Sequence, residues 1–277
     1  MKSYLILFFV FLVNATFAQK AAIEFPPPVK EIDLPYLDLI SLDTRDQVYA
    51  SNTLGDVYLF DRNGRQLNVF SPRRQGRLNQ LEAAWTVNIF SFSSDLQEYR
   101  IMDRFLSPIA ENSFLLNNIT LPKAATLGNN NIIWVWDESD LSIKSLDYQR
   151  NIVLQSLPLT MILESENLQV SEIREFKNRL FVNVPESGIF IFDNQGNFIR
   201  KVNLQIDQRM CFYKENLFWI ANNKLMMYNI TLEAIFDMGI LPEEEIDYLA
   251  IGRDILVFAK KNIVKIYPLP DGLGRMR

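Results

Sequence analysis

The chain holds no histidine among its 277 residues and a single cysteine, Cys211. Those two counts remove most familiar catalytic chemistry. Without imidazole, neither a Ser-His-Asp nor a Cys-His triad can be assembled. Zinc sites with His ligands are excluded, as is haem attachment through Cys-x-x-Cys-His. The sequence contains no Gly-rich phosphate cradle and no Gly-x-Ser-x-Gly elbow. What survives is carboxylate and amide chemistry, such as an oxygen-ligated calcium ion. No catalytic residue, metal ligand or cofactor is therefore assigned.

Four aspartates end a recurring apolar motif: Leu59-Phe60-Asp61, Ile101-Met102-Asp103, Ser145-Leu146-Asp147 and Ile191-Phe192-Asp193. Arranged around a ring they could form a crown of carboxylates. Each also opens a turn, where an Asp side chain bonds its own backbone two residues on, and that reading assigns them to structure. The other charged groups lie between strand-like runs. Arg73, Arg74 and Arg77, with Pro72 and Gly76, make a basic loop. Asp137-Glu138-Ser139-Asp140, Pro185-Glu186-Ser187 and Lys260-Lys261 fall in turns expected on the same side of the molecule. Arg73, Arg74, Arg77, Asp137, Glu138, Asp140 and Glu186 are thus the candidate partner-binding residues, a basic patch beside acidic ones. The competing reading is ordinary solvated loops, which also serves for Glu243-Glu244-Glu245.

The elements that must carry these groups follow from the motif's repetition. It recurs as Met227-Tyr228-Asn229 and Ile266-Tyr267-Pro268, at steps of 42, 44, 46, 36 and 39 residues. A period near forty with strand-like content predicts a radial β-repeat. In the first unit Val48 to Ala50, Val57 to Phe60 and Gln66 to Phe70 read as strands, with a tight turn at Asp61-Arg62-Asn63-Gly64. The fourth unit copies it around Asp193-Asn194-Gln195-Gly196. Each unit shows three readable strands before a weaker fourth. The sixth, ending at Pro268 and Pro270, is one strand short, while Val29 to Leu34 is extended and unassigned. Pairing the two would leave no bare sheet edge. The fold class is all-β: a six-bladed β-propeller closed by its N-terminal strand.

The turns Tyr58-Leu59-Phe60-Asp61-Arg62-Asn63-Gly64 and Phe190-Ile191-Phe192-Asp193-Asn194-Gln195-Gly196 resemble those of six-bladed propellers of the NHL-like type. Trp136-Asp137 looks like the WD dipeptide but occurs once, and Kelch-type Gly-Gly pairs are absent. At the N-terminus, Lys2, the apolar run Tyr4 to Val13 and Thr16-Phe17-Ala18 read as a signal peptide over residues 1–18. One propeller domain, residues 19–277, then follows. The Ala-Gln junction, the missing disulfides and the Asn-rich turns are similar to exported propellers of Bacteroidota. The stretch from Gly76 to Leu157 in particular resembles an uncharacterised family there. The resemblance implies a bacterial cell envelope, periplasmic or associated with the outer membrane, and implies no reaction.

A formal charge of −5 with both signs interspersed argues against nucleic acid as a partner. The mature chain has no run long enough to span a bilayer. Twenty Phe, ten Tyr and four Trp suit tight packing between blades. Trp134 and Trp136, two apart in one strand, must face the same side. Trp85 and Trp219 are expected in the core, as is Cys211. The expected function is a non-enzymatic scaffold for an envelope protein, in the periplasm or attached peripherally to the outer membrane. The alternative is a small-ligand or glycan binder, or a calcium-dependent hydrolase resembling lactonase propellers, working through the central channel.

Overall fold

The computed structural model describes residues 23–83, 87–163 and 168–274. The signal-peptide expectation and Trp85 lie outside them. Strand β1 (Lys30–Asp33) comes first. Blade I is β2 (Leu37–Leu42), β3 (Val48–Asn52), β4 (Val57–Phe60) and β5 (Gln66–Phe70). Blade II is β6 (Gln80–Glu82), β7 (Ile89–Ser93), β8 (Glu98–Met102) and β9 (Pro108–Ser113). Blade III is β10 (Pro122–Leu127), β11 (Ile132–Asp137), β12 (Ser142–Asp147) and β13 (Ile152–Pro158). Blade IV is β14 (Glu172–Phe176), β15 (Arg179–Val184), β16 (Gly188–Asp193) and β17 (Phe198–Val202). Blade V is β18 (Cys211–Tyr213), β19 (Asn216–Ala221), β20 (Lys224–Asn229) and β21 (Ala234–Ile240). Blade VI is β22 (Tyr248–Ile251), β23 (Ile255–Lys260), β24 (Ile263–Pro268) and, as its outer strand, β1. The chain is a six-bladed β-propeller. Lys30 pairs with Ile266 and Asp33 with Ile263, so the first strand completes the last blade as expected.

The hairpins form for local reasons. Asp61 Oδ1 accepts from the amides of Asn63 and Arg65, both at 2.9 Å, and Gly64 takes the left-handed φ of +75° that closes the turn. Asp193 repeats this with Gln195 at 2.9 Å and Asn197 at 2.8 Å. Asp103 and Asp147 cap their turns the same way. These carboxylates are structural and form no crown. Beyond each of the first four turns the outer strand carries a β-bulge, at Leu67, Ile109, Leu154 and Ile199. All four side chains are exposed.

The core is six separate clusters, one in each seam between neighbouring blades. Trp134 and Trp136 enter the III–IV seam together and pack with Ile173, Leu180 and Phe192. Trp219 lies in the IV–V seam. In the first and fourth units the strand left unread is the innermost, β2 or β14, not the last. Asp38 in β2 and Glu172, Arg174 and Glu175 in β14 break the apolar run that marks a strand.

Candidate functional site

Two kinds of connection share one face of the disc, hereafter the loop face. The amide of Gly76, between β5 and β6, bonds the carbonyl of Leu54, between β3 and β4, at 3.1 Å. The same contact joins Phe114 to Gln97 at 3.0 Å and Leu159 to Leu141 at 2.9 Å. The basic loop and the acidic turns therefore do share a face, on different blades, and no ion pair links them among the described residues.

Their residues differ in what they can offer. Arg73 is exposed and makes no hydrogen bond or ion pair among the described residues. Arg74 pairs with Glu98 at 2.7 Å, which also meets the buried Arg100 at 3.2 Å. Arg77 forks onto the buried Asp38, with contacts from 2.7 to 3.1 Å. Glu186 is exposed, Glu138 sits 3.9 Å from Lys123, and Asp140 pairs with Lys144 at 2.7 Å. Asp137 departs from the expectation. It has no exposed side-chain surface and accepts from the Leu121 amide at 3.0 Å, the Ser139 hydroxyl at 2.7 Å and Lys144 Nζ at 2.6 Å. It ties two loops together and presents nothing to a partner.

At the centre of the loop face opens a vestibule of about 480 Å³, lined in part by Asp38, Arg77, Glu172, Asp207, Arg209 and Tyr248. Arg209 reaches across from blade V, and its Nη1 donates to Gln80 Oε1 of the opposite blade II at 2.7 Å. Below it Gln80 Nε2 donates to Glu82 Oε1 at 2.5 Å, and Arg174 approaches the same oxygen at 3.5 Å. Burial pushes the Glu82 carboxyl above its ordinary range, with Arg174, Gln80 and Thr126 acting against it. Cys211 lines the channel but is buried, which pushes its thiol up to about 12. It is no thiolate nucleophile at neutral pH. Among the described residues no three Asp, Glu or Cys side chains converge to hold a metal ion.

Apart from Arg77 and Cys211, none of these residues was singled out from sequence. A signal was present: Gln80 and Glu82, like Glu172 and Arg174, stand two apart in apolar surroundings, which places each pair on one side of a strand.

No family model matches the chain, and no curated protein matches its sequence. Solved structures do match its shape. The WD40 domain of Pan2 from Neurospora crassa superposes with a TM-score of 0.58 at 11% identity, covering 84% of this chain and 78% of that one. Virginiamycin B lyase from Staphylococcus aureus gives 0.57 at 10% identity, covering 87% and 98%. PorZ, a surface component of the type-IX secretion system of Porphyromonas gingivalis, gives 0.56 at 12% identity, and the match spans 80% of this chain but 29% of PorZ. At these identities the likeness is one of fold.

Proposed function

We propose that this protein is an exported, non-enzymatic propeller that docks an envelope protein on its loop face. The observation that carries the reading is the makeup of that face. Arg73 stands uncommitted on a loop that Gly76 bonds to the exposed Leu54 turn, and the next connections expose Leu115, Leu116 and Met161. Arginine set among large apolar side chains is the composition of a protein-binding surface. No helix of the described residues is long and apolar enough to cross a membrane. PorZ, of which 29% matches this shape, is a bacterial surface component. The lyase comparison lends less, because a histidine-to-alanine variant of that enzyme is catalytically inactive and this chain has no histidine.

The test is charge reversal by Arg73→Glu and Arg74→Glu, leaving Arg77 in place because Asp38 depends on it. Crosslinking in intact cells of the native host should recover an envelope partner with the parent protein and much less with the double variant. Both proteins should melt alike. A variant that retains every partner removes this loop from the docking surface.

A further inference from the structure

Three arginines meet the vestibule and the throat beneath it, and two are held closely by a carboxylate. Arg77 is forked by Asp38, and Arg174 faces Glu82 at 3.5 Å. Arg209 is held more loosely. Its one hydrogen bond among the described residues goes to the neutral amide of Gln80, and its ion pair with Glu172 Oε1 is long, at 3.9 Å. The other Glu172 oxygen is occupied by the Met210 amide at 2.8 Å. A third of the Arg209 side chain remains accessible, at 33%. Its guanidinium thus retains donors in a fork that matches a carboxylate.

The opposite pole lies two residues away. Asp207 belongs to the same connection between β17 and β18, lines the same vestibule, is exposed, and has no hydrogen bond or ion pair among the described residues. The other nearby acids are engaged: Asp247 accepts from the Lys261 amide at 2.7 Å, and Asp38 holds Arg77. The vestibule's volume falls within the range of about 300–1,000 Å³ typical of small-molecule sites, and Tyr248 forms part of its wall.

We propose that the vestibule binds a zwitterion, an amino acid or short peptide with free ends, its carboxylate on Arg209 and its ammonium toward Asp207. The site stands apart from partner docking, since neither Arg73 nor Arg74 lines it.

Calorimetric titration of the full chain with L-alanyl-L-alanine, its C-terminal amide and its N-acetyl form tests this directly. The free dipeptide should bind, and each blocked form should bind about tenfold more weakly or worse, the loss expected for one charged hydrogen-bonded contact. Arg209→Gln should weaken the free dipeptide by a similar factor. Asp207→Asn should weaken it too, while leaving the N-acetyl form unchanged. Arg73→Glu should leave binding intact, so failure here and failure of the docking surface are distinguishable. Arg209→Gln also removes a strut across the channel, so the blocked ligands on the parent protein decide the matter if that variant melts early. Equal binding of free and blocked dipeptides, or no binding of the free one at millimolar concentration, overturns the proposal.

Discussion

A carboxylate without exposed surface stays ionised only when its partners outweigh its lost hydration. For Asp137, burial acts to raise the pKa, but Lys144, Ser139 and the loop amides prevail and hold it below the ordinary carboxylate value. Asp137→Asn should cost about 3 kcal/mol, the low end for breaking a buried pair, because Asp140 still faces Lys144. In a chain of this size that lowers the melting temperature by about 6–12 °C. The linkage has a definite sign. A folded pKa below the unfolded one gives stability that is complete above about pH 4 and lost as the pH falls through the folded value. Melts of parent and variant should therefore converge in acid, and a gap constant with pH would assign the loss to packing alone. Glu82 and Glu175, both raised chiefly by burial, work the other way, favouring the fold more as the pH drops. Residues whose partners are local were legible in the sequence: Asp61, Asp103, Asp147 and Asp193 all cap the turns they open. Asp137 was misplaced because Lys144 and Leu121 reach it from neighbouring strands and loops. The Arg209–Gln80 bond was invisible, since 129 residues separate its ends.

The strand that closes the ring contributes packing as well as hydrogen bonds. Ile32 and Leu34 enter the VI–I seam beside Val257, Val264 and Ile266. Ile32→Ala should cost about 2–4 kcal/mol through the cavity it leaves. Deleting residues 21–34 should go further, giving a lower and broader melt by circular dichroism and a tendency to aggregate through the bared edge of β24. An unchanged transition in the deletion would mean that β1 is dispensable. This pairing was readable because the sixth unit lacked a strand and an extended piece lay unused at the other end. The bulges were not readable. Leu67, Ile109, Leu154 and Ile199 look like ordinary strand residues, and only the register shows each opposed to no partner. By bending the outer strands they make those edges poor templates for another chain.

Across the whole ring, both ends of the described chain meet at one seam. The Ile23 amide bonds the Met238 carbonyl of β21 at 2.9 Å, Phe25 packs on Phe258 with ring centres 5.7 Å apart, and Leu273 is buried in the same cluster. Gly272 lies against Ile23. A circular permutant that links residue 274 to residue 23, with new ends in the Asp193–Gly196 turn, should fold and melt close to the parent. It would repeat the native arrangement one third of the way around, with an outer strand supplied by the new N-terminus. Failure of that permutant to fold would show that the V–VI seam does more than bring the ends together.

The β1–β24 ladder also imposes an order in time. During synthesis β1 appears first and the strand that receives it appears last, after five complete blades. Contacts between distant parts of a chain are slow to form, so closure is the last step in completing this ring. Until then the protein is an open arc with unsatisfied backbone at both ends. A chain truncated before Ile263 can never leave that state, which makes incomplete products natural targets for proteolysis.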